Sequence, residues 1–342
     1  MTATVLVSGA SGFIALHTIA LLLSKGYTVI GTVRSQSKAD HLIKKFNNDK
    51  LSFEIVEEIA VEGAFDNAVK AHPDIKYVLH MASPFLYSLT DFENGYLHPA
   101  VNGTVSMLSA IYKYGSQVEK ITVTSSFASI VNLDKMTDQS FIHTEETWNP
   151  IQWSAVDNPM VAYLTSKKLA EEAAWKFTKE NDVKFSLSTI CPPYVLGPQY
   201  FLEDAAKAEL NTSCQLIKSL LDTKPGQEGV LDGPFFPAVD VRDVANFHVL
   251  SLEKNVAGQR LFPVDKTPLS TPLAAIIIQD NFPEYKGKII DATQEDVKKS
   301  LSNAPAFDNS KSVELLGGYE FIPFEKQVVD TVKQILEATK SA

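Results

Sequence analysis

Tyr163 and Lys167 stand four residues apart in Tyr163-Leu164-Thr165-Ser166-Lys167, and Thr124-Ser125-Ser126 closes an apolar run upstream of them. Residues at i and i+4 share one face of a helix, so a phenol and an ammonium placed this way reach the same bound molecule. A bare Tyr-x-x-x-Lys also arises by chance on exposed helices. With a serine hydroxyl and a dinucleotide-type turn in the same chain, the pair points to hydride transfer. Reducing a carbonyl takes a hydride to carbon, a proton to oxygen and a donor that polarises the C=O as charge builds. Tyr163 is the expected proton donor and Ser126 the expected donor to the carbonyl oxygen. Lys167 supplies a charge that lowers the phenol toward the working range and can also hold the nicotinamide ribose hydroxyls. Asn102, in Val101-Asn102-Gly103-Thr104, either carries protons toward Lys167 through water or holds backbone groups in a buried helix.

These side chains need a scaffold, and the first 190 residues supply its pattern. Short β-branched runs alternate with longer amphipathic segments, the sequence mark of a doubly wound parallel sheet in an α/β fold. Strands are predicted at 4–8, 28–33, 52–56, 77–80, 120–124 and 184–190, and helices at 12–25, 38–46, 62–71, 98–114 and 161–180. The strands read as near-continuous apolar runs, as expected when helices cover both faces of the sheet. Six strands in this rhythm make a full dinucleotide fold, a Rossmann domain over 1–190. After Pro192-Pro193 the rhythm breaks, with Gly197-Pro198, Lys224-Pro225-Gly226 and Asp232-Gly233-Pro234. A smaller substrate-binding domain is expected over 191–342, with 238–254 returning to the first. Within that stretch Val239-Asp240-Val241-Arg242-Asp243 reads as a strand feeding a helix, with Asp243 as the expected cap.

The turn that ends the first strand is Gly9-Ala10-Ser11-Gly12-Phe13-Ile14-Ala15. Its glycines let the chain turn sharply into a helix and let a pyrophosphate approach the backbone amides, while the small Ala15 permits close helix–strand packing. Glycine turns after strands also occur without a ligand, but here strand and helix flank the turn in the order the mechanism demands. At the end of the second strand, where an NAD site presents an acid to the ribose 2′-hydroxyl, stands Arg34. A guanidinium suits a 2′-phosphate, and Lys38 adds a second charge one turn later, so NADPH is the expected cofactor.

Composition narrows the field further. The 342 residues are 45% hydrophobic and carry a net charge of −10. A chain of this length buries a large core, and its acidity argues against nucleic acid or an anionic membrane as partner. The start shows no basic leader and no apolar stretch approaches a span, so a cytoplasmic protein is expected, as monomer or homodimer. Cys191 and Cys214 have neither disulfide-framework nor metal spacing, and the seven histidines are scattered. No metal site is expected.

The chain resembles the extended short-chain dehydrogenase/reductases. It is similar to their dihydroflavonol-4-reductase-like branch and, within it, to the yeast NADPH-dependent methylglyoxal/isovaleraldehyde reductases. The carriers are Val7-Ser8-Gly9-Ala10-Ser11-Gly12-Phe13-Ile14-Ala15, Arg34-Ser35, His80-Met81-Ala82-Ser83-Pro84-Phe85 and Pro99-Ala100-Val101-Asn102-Gly103. Further along they are Glu146-Thr147-Trp148-Asn149-Pro150, Tyr163 with Lys167, Pro193-Tyr194-Val195-Leu196-Gly197-Pro198 and Val239 through Ala245. The resemblance implies Ser126, Tyr163 and Lys167 as catalytic residues and Arg34 and Lys38 at the 2′-phosphate. It also implies Val195 and Ser213 beside the cofactor. Two positions depart from the pattern. Glu58-Ile59 stands where these reductases usually carry Asp-Ile at the adenine, and Cys191 stands where an asparagine is usual.

By position, Phe85, Val131, Met160 and Tyr194 are substrate-pocket candidates, together a mostly hydrophobic cleft for an aldehyde or ketone. The expected activity is an NADPH-dependent carbonyl reductase giving alcohols. One rival is a sugar-nucleotide epimerase or dehydratase using Tyr163 and Lys167 with tightly held NAD, against which Arg34 speaks. Another is a protein that senses NADPH without turnover, which has no need of Ser126, Tyr163 and Lys167 together.

Overall fold

A computed structural model describes residues 3–83, 91–232, 235–302 and 304–341. The strands are β1 (Thr4–Ser8), β2 (Thr28–Val33), β3 (Leu51–Ile55), β4 (Ile75–His80), β5 (Lys120–Thr124), β6 (Ser186–Ile190), β7 (Tyr194–Leu196), β8 (Phe235–Phe236), β9 (Ala238–Asp240), β10 (Arg260–Leu261) and β11 (Leu269–Ser270). Seven of them form one sheet in the order β3-β2-β1-β4-β5-β6-β10. Every pairing in this sheet is parallel. The fold is the doubly wound α/β sheet that the sequence pattern implies. The strand order reverses between β1 and β4, and in such sheets ligands bind outside the carboxyl ends of the strands at that crevice.

The α-helices are α1 (Phe13–Ser24), α2 (Gln36–Phe46), α3 (Asp66–Ala71), α4 (His98–Tyr114), α5 (Pro159–Glu180), α6 (Thr212–Leu221), α7 (Val241–Glu253), α8 (Thr271–Asn281), α9 (Gln294–Ser302), α10 (Ser310–Leu315) and α11 (Phe324–Ser341). Alternate residues of a strand face opposite sides, and both sides of this sheet are buried. Leu6 packs with Phe65, Met107, Leu108 and Ile121 on one face, whereas Val5 and Val7 pack with Ile19, Leu22 and Val249 on the other. This explains why β1 is apolar at every position from 5 to 7.

Beyond residue 190 the chain does not simply leave the sheet. Helix α7 packs on α1, and β10 adds an edge strand beside β6. The remaining elements build their own core from Leu196, Ile217, Ile278, Phe324 and Val328. Two small sheets accompany them, β7 with β9 in parallel and β8 with β11 antiparallel. No helix among the described residues is long and apolar enough to cross a membrane.

One expectation is corrected here. The cap of α7 is Asp240, whose carboxylate accepts from the Arg242 amide at 2.8 Å and whose two oxygens also take the Arg242 guanidinium. Asp243 lies inside the first turn, where Tyr319 and the Ile322 amide donate to it, each at 2.9 Å. The structure puts the cap one residue before the helix, and Asp243 instead ties α7 to the segment ahead of α11.

Candidate active site

The turn after β1 is built on Gly9, whose φ of +65° lies in the left-handed region. A Cβ there would sit 2.8 Å from the Ala82 Cα, so glycine is required twice over, for the backbone angle and for the close approach. The Gly12 amide closes the turn on the Gly9 carbonyl at 2.9 Å, and α1 starts at once. Its first amides therefore point into the crevice, the favoured geometry for a phosphate.

Across this turn the crevice forms two adjoining cavities that share Gly9, Gly12 and Met81. The larger, about 490 Å³, is lined by Phe13, Ile14, Thr124, Pro193, Val195, Asn211 and Ser213 among others. The smaller, about 280 Å³, is lined by Ser11, Thr32, Arg34, Lys38, Ile59 and Ala82. The sequence candidates Gly9, Ser11, Gly12, Phe13, Ile14, Arg34, Lys38, Ile59, Val195 and Ser213 thus meet in one elongated cleft. Its Arg34 and Lys38 end is exposed and cationic. Glu58 does not line it: its carboxylate turns back to accept from the Ala60 amide at 3.0 Å on the surface. A groove of about 770 Å³ beside Trp148 and Trp175 contains none of these residues.

The proposed chemical groups line neither cavity directly, and Lys167 reaches the cleft through Thr124, which lines the larger cavity, and Ser83, which lines the smaller. Ser126 follows β5 and caps a single turn of 3-10 helix, its Oγ accepting from the Ala128 amide at 3.1 Å. Tyr163 and Lys167 lie on α5, which starts with Asn158 as cap and Pro159 in the first turn. The Tyr163 phenol hydrogen-bonds Ser126. Lys167 is buried, and its Nζ donates to the Thr124 carbonyl at 3.1 Å and lies 3.4 Å from the Ser83 Oγ.

Burial pushes the Tyr163 phenol up to about 12, against which the Ser126 hydrogen bond works. The expected lowering by Lys167 is not what the protein alone produces, because the ammonium is aimed at Thr124 and Ser83. Burial also brings Lys167 down to about 8, while Glu171 and Cys191 act in the opposite direction. At neutral pH the site therefore holds a neutral phenol, which has a proton to give, beside an ammonium that is still mostly charged.

Sequence reasoning missed how this region is braced. The Ser8 hydroxyl accepts from the Met81 and Ala82 amides, both at 3.0 Å, and lies 2.8 Å from His80 Nδ1. A hydroxyl has one proton, so Ser8 donates to Nδ1, and this network assigns the His80 proton to Nε2. Burial, with Lys167 adding to it, pushes His80 down to about 3, which keeps it neutral. The result pins Met81 and Ala82 against Gly9. The signal was present in the His80-Met81-Ala82 run, but only the pairing of β1 with β4 shows what it is for.

The pocket candidates fare unevenly. Tyr194 is half-buried, stacks on Phe236 with ring centroids 5.2 Å apart, and its field reaches Tyr163. Val131 is 2% exposed and packs with Phe127, Ile130, Cys191 and Phe262. Met160 is 53% exposed in the first turn of α5. Asn102 is exposed on α4 rather than buried. Phe85 lies outside the described residues. Both cysteines are free and buried.

A model of the NAD dependent epimerase/dehydratase family matches residues 5–262, most of the chain. The chain belongs to this family. Within it the chain is an extended short-chain dehydrogenase/reductase of the methylglyoxal/carbonyl reductase branch, as the motifs suggested. It is 42% identical over 341 residues to the NADPH-dependent methylglyoxal reductase GRE2 of Saccharomyces cerevisiae, covering 98% of each chain. It superposes on Gre2 from Candida albicans in complex with NADPH with a TM-score of 0.93 at 46% identity, covering 98% of this chain and 99% of that one. For yeast methylglyoxal/isovaleraldehyde reductase Gre2 complexed with NADPH the TM-score is 0.92 at 41% identity, over 99% and 100% of the two chains. The likeness to these reductases runs through the C-terminal elements as well as the sheet.

Proposed function

We propose that this dehydrogenase/reductase is an NADPH-dependent carbonyl reductase that converts aldehydes or ketones to alcohols through Ser126, Tyr163 and Lys167. The observation that carries the reading is the Tyr163–Ser126 hydrogen bond, with Tyr163 on the same helix as buried Lys167, whose ammonium contacts Thr124 and Ser83 in the walls of a cleft that also carries Arg34 and Lys38. The residues present fit the cofactor: a Cβ-free approach at Gly9, helix amides at the turn, and Arg34 with Lys38 where a 2′-phosphate would lie. NADPH bound there supplies the hydride that a carbonyl carbon accepts. Ser126 donates to the carbonyl oxygen, and Tyr163 transfers its proton to that oxygen as negative charge develops. Lys167, fixed by Thr124, stabilises the tyrosinate left behind. In the reverse direction the alcohol returns proton and hydride to the same partners.

Arg34 also separates this reading from that of an epimerase holding NAD, which would place an acid at the ribose. Tyr194 and Phe236 form an aromatic wall near the phenol, suited to an apolar aldehyde or ketone. The test is the loss of reduced-nicotinamide absorbance with NADPH or NADH and a panel of methylglyoxal, isovaleraldehyde, an aryl ketone and a diketone. Oxidation of NADPH well above NADH with at least one of them is expected. Tight NADPH binding with no turnover on any would remove the reading.

A further inference from the structure

Glu171 lies one turn beyond Lys167 on α5, 1% exposed, in a region where a carboxylate is costly to bury. Its Oε2 accepts from Ser125 Oγ at 2.5 Å and Ser129 Oγ at 2.6 Å, and its Oε1 from Thr189 Oγ1 at 2.7 Å and Arg260 Nε at 2.7 Å. Arg260 in turn donates to the carbonyls of Glu145 and Thr147 at 2.8 and 2.6 Å and sits 3.8 Å from the Trp148 ring centroid. One carboxylate thus joins α5, the turn after β5, β6 and β10.

Two of those partners, Ser125 and Ser129, bracket the turn that presents Ser126. The helix carrying the carboxylate presents Tyr163 and Lys167. We propose that Glu171 is a positioning residue for the reduction: it locks the Ser126 turn to α5 so that serine hydroxyl and phenol stay in register, with Arg260 as its counter-ion. The inference rests on the reductase reading. It has a physical motive, because a buried ion pair is seldom more stable than an apolar replacement, so its advantage lies in fixing geometry. A small misplacement of reacting groups costs far more in rate than in folding.

Glu171 also acts on Lys167 electrostatically. Burial would raise the carboxyl, but Arg260 and the hydroxyls of Ser125 and Ser129 outweigh it and hold Glu171 below its usual range, so it stays ionised. The groups facing Lys167 are His80 from β4, Glu171 from α5 and Cys191 beyond β6. His80 is neutral and the Cys191 thiol is pushed up to about 12, so Glu171 is the anion that helps Lys167 keep its proton, with Arg260 behind it.

The test compares whole-chain wild type, Glu171→Gln and Ser125→Ala for kcat, KM, NADPH affinity and the pH dependence of kcat. Glu171→Gln is expected to lower kcat roughly 10- to 100-fold, with NADPH affinity unchanged. Its alkaline limb should move to lower pH, because Lys167 loses the carboxylate that holds its proton. Ser125→Ala is expected to lower kcat less and leave the limb in place. A Glu171→Gln enzyme with wild-type kcat and limb would overturn the proposal, as would a loss that merely follows NADPH affinity. Should Glu171→Gln fail to fold, an unchanged kcat in Ser125→Ala overturns it and a reduced one supports it. A wild type silent toward every carbonyl compound would remove the reductase reading and this proposal together, whereas an active wild type matched by both variants removes the proposal alone.

Discussion

The Lys167 ammonium donates to the main-chain carbonyl of Thr124 at 3.1 Å, which binds α5 to the carboxyl end of the strand that leads into Ser126. The contact fixes where the positive charge sits before any ligand arrives. It also means that the phenol, pushed up by burial, depends on Ser126 more than on Lys167 in the free protein.

Replacing Tyr163 with Phe removes the proton donor and leaves the cleft intact. Turnover should fall by roughly 10²- to 10⁴-fold, the range for loss of a general acid, while NADPH affinity persists. Steady-state rates paired with a binding titration check both halves, and a near-normal kcat would show that another group gives the proton.

Arg34→Asp places a carboxylate where the 2′-phosphate is expected. A charge-assisted hydrogen bond contributes about 1.5–3 kcal/mol, so NADPH should bind some tenfold or more weakly than before and NADH much less affected. Titrating both cofactors decides it, and equal losses would refute the role given to Arg34.

Gly9→Val should be destabilising and should abolish cofactor binding. Left-handed backbone costs a non-glycine residue about 1–2 kcal/mol, and its Cβ would in addition meet Ala82 at 2.8 Å. Thermal unfolding and NADPH titration measure the two effects. A variant of wild-type Tm that still binds NADPH would contradict this geometry.

Lys167→Met should abolish turnover yet raise the stability of the cofactor-free protein at pH 7. The fall of Lys167 from 10.5 to about 8 corresponds to a burial cost of roughly 3 kcal/mol, from which the orphaned Thr124 carbonyl subtracts about 1 kcal/mol or more. The folded protein binds its proton more weakly than the unfolded chain, so that cost is full below about pH 8 and fades as pH rises toward 10.5. Tm measured from pH 7 to 10 should therefore show the variant's advantage shrinking. An advantage that grows with pH would contradict the sign.

Local signals carried much of this protein. The apolar runs at 5–7 and 78–79, the Gly9 and Gly12 turn, Arg34 where an acid would mark NAD, and Tyr163 four residues before Lys167 are all fixed by backbone sterics, period and side-chain chemistry, so the doubly wound sheet and the candidate site residues could be read from them. Residues whose roles depend on distant partners could not. Val131 and Asn102 occupy plausible positions in sequence, yet whether a side chain reaches a cleft, a core or solvent depends on what packs over it. Asp243 looked like a cap because caps are local, but Asp240 had the better geometry and Tyr319 claimed the other carboxylate. The Ser8–His80 brace and the Glu171–Arg260 pair join residues 72 and 89 positions apart. No periodicity marks such pairs, because a buried polar group takes whatever partner the fold brings near, and only tertiary structure decides which that is.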